Sequence, residues 1–144
     1  MTKSTEPIMK LNGYSIKDLE YTKEKNRLEK YDSGFQYSPS VGVDFKENKS
    51  IVTLKISLKD GSSRFGVKLV IQGQFDISES LSKSGEDAIA EAMFVNGTAI
   101  LFPYARSVIS MITGLDSSST VLLPTINTTE LWENYSDKSK NNGK

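Results

Sequence analysis

Between Leu101 and Ile112 the chain carries more apolar surface than a helix resting on one sheet can hide. Leu101, Phe102, Tyr104, Ala105, Val108, Ile109, Met111 and Ile112 spread over about half the helical wheel, whereas an ordinary surface helix shows a stripe nearer 100° wide. Pro103 suits the first turn of such a helix, where its missing N–H would be unpaired anyway. Gly114 suits its C-terminal cap. Something besides the sheet must cover the remaining apolar arc. A second copy of the chain is the expected cover.

The chain before this helix reads as strands. Met9 and Leu11, then Tyr14 and Ile16, alternate with polar residues, and Gly13 between them marks a bulge or kink. Val41, Val43 and Phe45 alternate, as do Val52, Leu54, Ile56 and Leu58. After a turn at Asp60-Gly61-Ser62-Ser63, one long strand lines up Phe65, Val67, Leu69, Ile71, Gly73, Phe75 and Ile77. Period-two patterning with short connections means antiparallel strands with one buried face. Lys23 to Asp32 is highly charged and reads as a solvated loop or short helix. Ser78 to Gly85 reads as a polar link, and Glu86 to Val95 as a short helix stopped by Asn96-Gly97. Asp116 to Ser119 reads as a flexible loop, and Val121 to Pro124 as a short extended piece. Thr128 or Thr129 is expected to cap a last helix carrying Leu131, Trp132 and Tyr135. Strands followed by helices give an α+β fold, a four-stranded antiparallel sheet with helices on one face. Residues 1–7 read as a flexible arm, 8–135 as a single domain and 136–144 as a flexible polar tail.

The residue types present exclude much chemistry. The chain has no Cys and no His, so a thiolate metal site and a Ser-His pair are both ruled out. No phosphate-binding loop, dinucleotide fingerprint or nucleophile elbow occurs. Glu86 and Asp87 fall at a helix start, where carboxylates favourably meet the helix dipole. No enzyme activity, metal or cofactor is expected. Net charge is zero, with 18 basic and 18 acidic residues, which argues against a nucleic-acid partner. The charge is uneven: residues 1–72 hold 13 Lys and Arg against 9 Asp and Glu, while 73–144 hold 5 against 9. The N-terminus lacks the apolar core of a signal peptide. No apolar stretch approaches the ~18 residues of a membrane span. A cytoplasmic protein without membrane insertion is the expectation.

Aromatic side chains remain. Phe35 and Tyr37 stand just before Pro39 in what reads as an irregular stretch, and Trp132 and Tyr135 ride the last helix. They either plug the ends of the core or form a binding surface.

The string Asn96-Gly97-Thr98-Ala99-Ile100-Leu101-Phe102-Pro103-Tyr104-Ala105-Arg106-Ser107-Val108-Ile109-Ser110-Met111 resembles the signature helix of SecB-type chaperones. Leu123-Pro124, Leu131 to Tyr135, Tyr14 with Lys17-Asp18, Tyr37 to Val41, and Phe65 to Ile77 with Gly73-Gln74-Phe75 continue the resemblance from about Ile8 to Tyr135. It implies a dimer of dimers packed through the main helix. It also implies an ATP-independent holdase that takes unfolded proteins or preproteins into apolar grooves. The implied groove residues are Phe35, Tyr37, Val41, Val43, Phe45, Leu131, Trp132 and Tyr135, with the stretch around Phe35 as a crossover wall. Val41, Val43 and Phe45 could equally be plain core. The implied interface residues are Phe102, Tyr104, Arg106, Ile109 and Met111. Export members are acidic and dock the SecA motor. Here the net charge is zero, Lys68 stands where they carry a Glu, and the segment from Ser136 holds three Lys and one Asp, which argues against SecA docking. Similar proteins chaperone antitoxins of toxin–antitoxin systems. An adaptor with self-filled grooves is the alternative from a different class.

Overall fold

The computed structural model describes residues 7–62, 64–116 and 123–142, with side chains as far as residue 137. The expected arm falls almost wholly outside these residues, as do most of the loop from Asp116 and the start of Val121 to Pro124. Four strands, β1 (Met9–Thr22), β2 (Gly34–Asp44), β3 (Lys49–Lys59) and β4 (Gly66–Ile77), form one antiparallel sheet in the order β1-β4-β3-β2. Alternation decides its faces. Val52, Leu54 and Ile56 of β3 and Val67, Leu69, Ile71 and Phe75 of β4 all point to the helices and are buried. Intervening residues such as Thr53, Ser57, Gln72 and Gln74 form the opposite, polar face, and none of these four is buried.

Helices follow: α3 (Glu86–Ala92), α4 (Thr98–Leu115) and α5 (Thr128–Asn142) as expected, and α2 (Glu79–Ser82), which was not. The link after β4 contains α2, capped by Ser78 Oγ, which accepts from Leu81 N–H at 3.2 Å. The charged stretch after β1 holds the single-turn α1 (Lys25–Leu28). It is not wholly solvated: Leu28 and Tyr31 are buried. They sit on Gly66, where an added Cβ would lie 2.7 Å from the Tyr31 ring.

Three boundaries differ from expectation. Asn96-Gly97 does not stop a helix. A π-helical turn, Met93–Gly97, joins α3 to α4 without a break. Gly97 keeps helical angles (φ −62°, ψ −44°), and its missing side chain lets the helix approach the sheet. A Cβ there would lie 3.0 Å from Val52 Cγ2 and 3.1 Å from Met93 Cε. Pro103 therefore lies inside a helix rather than in its first turn. The carbonyl it leaves without a donor belongs to Ala99, on the exposed side where water can serve. The last helix runs further than expected, because α5 continues to Asn142 and takes in residues 136–142 of the expected tail. Asn127, rather than either threonine, caps α5: its Oδ1 accepts from Glu130 N–H at 2.9 Å.

Glu86 to Leu115 thus form one 30-residue helix, long and apolar enough to cross a membrane by length and composition alone. This corrects the expectation that no such stretch exists. Ile89, Met93, Leu101, Ala105 and Ile109 from this helix are buried in the core formed with the strands, so it serves here as the second layer of the fold.

Candidate functional site

Strand β2 is an edge strand, and its odd-numbered side chains face the helix layer. Phe35 and Tyr37 stack with ring centroids 5.3 Å apart. Helix α5 lies across from them. Between strand and helix is a cavity of about 380 Å³ lined by Phe35, Tyr37, Pro124, Ile126, Glu130, Leu131 and Asn134, among others. A second cavity of about 150 Å³ adjoins it, with Tyr37, Pro39, Phe94, Leu131, Asn134 and Tyr135 in its walls. Together they make one groove floored by aromatic and aliphatic groups.

The π-helical turn fixes the position of α5. It presents Phe94, which packs 5.2 Å from both Trp132 and Tyr135, and those two rings lie 5.9 Å apart. Burial raises the pKa of Tyr37, and the nearby Glu130 carboxylate raises it further. Among the described residues no group of acidic side chains could hold a metal.

The structure brings Phe35, Tyr37, Leu131 and Tyr135 to this groove. Val41 and Val43 are half-buried on the same side of β2, packed against the core. Phe45 lies past the strand end and is 51% exposed. Trp132 lines neither cavity and anchors α5 from behind. The stretch holding Phe35 is regular strand, not an irregular crossover: it pairs with β3 residue by residue from Gly34↔Lys59 to Asp44↔Lys49. Pro39 is tolerated there because β2 is an edge. Sequence reasoning missed Phe94, Glu130 and Asn134. A π-helical turn has no simple sequence signature, which hid Phe94. Glu130 and Asn134 stand four apart on α5, a spacing that puts them on one face once the helix is located.

A second apolar feature runs along α4. Tyr14, Ile16 and Leu19 of β1 join Tyr104, Val108, Met111 and Leu115 of α4 around a depression of about 300 Å³. Register shifts between Leu11 and Gly13 and between Ile16 and Asp18 keep the β1 residues on the helix side. Tyr14 and Tyr104 lie 4.5 Å apart. Met111 is 69% and Leu115 76% exposed. Two expected interface residues are corrected. Phe102 and Ile109 sit in the subunit's own core, at 7% and 0% exposure, because they share the sheet-facing side of α4 with Leu101 and Ala105. Arg106 is exposed but does not line the depression.

The end of α4 is clasped to the end of β1. Tyr21 O–H donates to Asp116 Oδ2 at 2.5 Å, and Lys23 Nζ lies 2.6 Å from the same oxygen. Hydrogen bonds from Lys23 and Tyr21 hold the Asp116 carboxyl below the usual range, so its contribution is present above the unfolded pKa and is lost as pH falls. Burial and Asp116 push Tyr21 up to about 12, so its contribution is lost as pH climbs above 10. The melting temperature should therefore decline on the alkaline side between about pH 10 and 12. Burial and Glu20 raise Tyr31 as well, so it contributes to the same decline; Tyr21→Phe should make the decline shallower, and an unchanged alkaline profile in thermal melts would refute the clasp.

On the polar face, Lys68 Nζ stands 4.3 Å over the Tyr31 ring. Tyr31 O–H donates to Glu20 at 2.7 Å, and Glu20 is the β1 residue opposite Lys68. Lys68 is therefore held in place by its own chain.

Comparison with known proteins agrees with this architecture. The profile of the family described as preprotein translocase subunit SecB matches residues 2–139. The protein-export protein SecB of Wolbachia pipientis wMel is 28% identical over 103 residues, covering 69% of this chain and 61% of that protein. The match thus spans less than two thirds of that relative's length. An uncharacterised protein of Methanocaldococcus jannaschii is 26% identical over 143 residues, covering 93% of this chain and 88% of that one. Among solved structures, the Mycobacterium tuberculosis SecB-like chaperone Rv1957, in complex with a ChAD peptide from the HigA1 antitoxin, has a TM-score of 0.67 at 12% identity. It covers 82% of this chain and 90% of its own. A Streptococcus agalactiae protein of unknown function has a TM-score of 0.57 at 12% identity, covering 81% and 97%. With a family profile matched over nearly its whole length and the corresponding sheet-and-helix fold, the chain belongs to the SecB family.

Proposed function

We propose that this protein is an ATP-independent holdase that captures unfolded segments of other proteins, preproteins among them, in the groove between β2 and α5. The observation that carries this reading is the groove itself, an aromatic-floored channel left open between an edge strand and a helix. Apolar burial gives sequence-tolerant affinity, since its free energy follows area at about 25 cal/mol per Å². A weak groove still holds a long client if several grooves act on it together. The reading places the protein in the cytoplasm, where preproteins are made.

Several grooves require several subunits. The stripe of Tyr104, Met111 and Leu115 with Tyr14 and Ile16 supports self-association, up to a dimer of dimers. The double substitution Met111→Lys, Leu115→Lys should lower the mass in light scattering while the far-UV spectrum stays folded. An unchanged mass would refute that use of the stripe.

For the function, a denatured client diluted without nucleotide should scatter less light when stoichiometric protein is present, and several unrelated clients should be protected. No protection of any client would refute the proposal. Protection of one antitoxin alone would favour the second reading, a dedicated antitoxin chaperone, which the likeness to the peptide-bound Mycobacterium tuberculosis structure supports.

A further inference from the structure

The face of the sheet turned away from the helices is unevenly charged. Ser57 stands at the centre of its basic end. Lys55 and Lys59 flank Ser57 on the same side of β3, and Lys68 of β4 lies directly opposite it. Residues two apart on a strand are about 7 Å apart, and opposite residues about 5 Å, so three lysines surround one hydroxyl. None of the three is ion-paired to another described residue. Glu20, across from Lys68, is already held by Tyr31 O–H at 2.7 Å and Arg27 at 3.8 Å. Lys55 and Lys68 share a depression of about 310 Å³ with Gln36, Ser38 and Ser57, and Asp18 is the one acidic side chain in its wall.

Charge is balanced at the other end of the same face. Asp76 stands between Lys10 of β1 and Lys49 of β3. Asp44 accepts from the backbone N–H groups of Lys46 and Glu47 at 3.0 and 3.2 Å. What this end offers is apolar. Ile51, 43% exposed, borders a depression of about 570 Å³ together with Asn12, Gly42 and Gln74. Gly42 keeps it open, since a Cβ there would meet nothing within 4 Å. From Ile51 to Lys55 is four residues along β3, a span of about 13 Å.

From this arrangement we infer that the outer face of the sheet docks an acidic segment of a partner protein. One apolar side chain of the segment sits beside Ile51, and its carboxylates lie about 13 Å away over Lys55, Lys59 and Lys68. Opposite charge steers the encounter and fixes the orientation, while the apolar anchor supplies burial. A polyanion without apolar groups, such as a nucleic acid, would leave the Ile51 depression empty. The surface lies on the opposite side of the sheet from the groove between β2 and α5. It serves a different partner from the unfolded client and does not depend on the holding function.

The test is an NMR titration of the full chain with a synthetic peptide. The peptide carries one leucine, glutamates four, six and eight residues after it, and serine elsewhere. Signals of Ile51, Ser57 and Lys68 should shift, and the methyls of Ile126 and Leu131 should stay still. Affinity should fall about threefold or more when glutamine replaces each glutamate, and also when salt rises from about 0.05 M to about 0.5 M. The double substitution Lys55→Glu, Lys59→Glu should weaken binding about tenfold, and Gly42→Leu, which fills the depression, about threefold or more. Both variants should melt within a few degrees of the parent and still capture unfolded client, while Leu131→Asp should still bind the peptide. No binding overturns the inference. So does binding that moves Leu131 rather than Ile51, or binding indifferent to the charge reversal or to Gly42→Leu. Outer-face signals that shift with protein concentration alone assign the face to a second copy. A single-stranded DNA of equal charge that binds more tightly than the peptide assigns it to phosphate. Either result also overturns the inference.

Discussion

Ile109→Lys unfolds the subunit. Ile109 is fully buried in the core formed by α4 and the sheet. Removing its side chain gives up about 1.5–3 kcal/mol of apolar burial. The ammonium then enters a site whose buried neighbours on α4 are Phe102, Ala105 and Thr113, and among the described residues no carboxylate is buried. An uncompensated buried charge costs several kcal/mol more. The sum approaches the whole stability of a typical domain, about 5–15 kcal/mol. Circular dichroism should show no cooperative melt, or one lowered by more than about 15 °C. Met111→Lys, two residues on but 69% exposed, should melt within a few degrees of the parent. If Ile109→Lys instead melts normally and only lowers the mass, Ile109 faces a partner and the assignment of the two sides of α4 is reversed.

Leu131→Asp should abolish client capture in a subunit that remains folded. Leu131 lines both cavities of the groove and is only half-buried, so its loss costs the fold little. A carboxylate in the groove floor repels an apolar segment and adds to the charge of Glu130. Affinity for an unfolded client should fall at least about tenfold, equivalent to 1.4 kcal/mol, with a melting temperature lowered by no more than about 4 °C. Trp132→Ala should show the opposite balance. Its ring packs against Phe94 and Tyr135 behind the groove, so stability falls first. Client affinity unchanged in Leu131→Asp, measured by fluorescence anisotropy, would place the site elsewhere.

The contrast between Ile109 and Met111 also shows what a sequence can and cannot reveal. The width of the apolar arc on α4 was legible, and so was the surplus it implies. Its division into a buried side at Leu101, Ala105 and Ile109 and an open side at Tyr104, Met111 and Leu115 was not. That division depends on how the helix is rotated over the sheet, and Gly97 sets the rotation through a contact some 45 residues away in sequence, at Val52. Strand alternation gave four strands, because period two is a local property, but left open what the Val41, Val43 and Phe45 side of the second strand faces. Phe35 and Tyr37 were misplaced in an irregular stretch because Pro39 interrupts the pattern, and only the pairing with β3 shows that an edge strand tolerates it. Asn96-Gly97 reads locally as a stop, yet packing of Met93, Phe94 and Gly97 against the core overrides that preference.

The groove between β2 and α5 is the claim on which the functional account rests. Methyl NMR of the protein titrated with a permanently unfolded client tests it most directly. The methyl signals of Ile126 and Leu131, which line the groove, should shift, while Ile51, exposed on the polar face of the sheet, should stay still. Saturating client that leaves the groove methyls unmoved, or that moves Ile51 instead, would contradict the account.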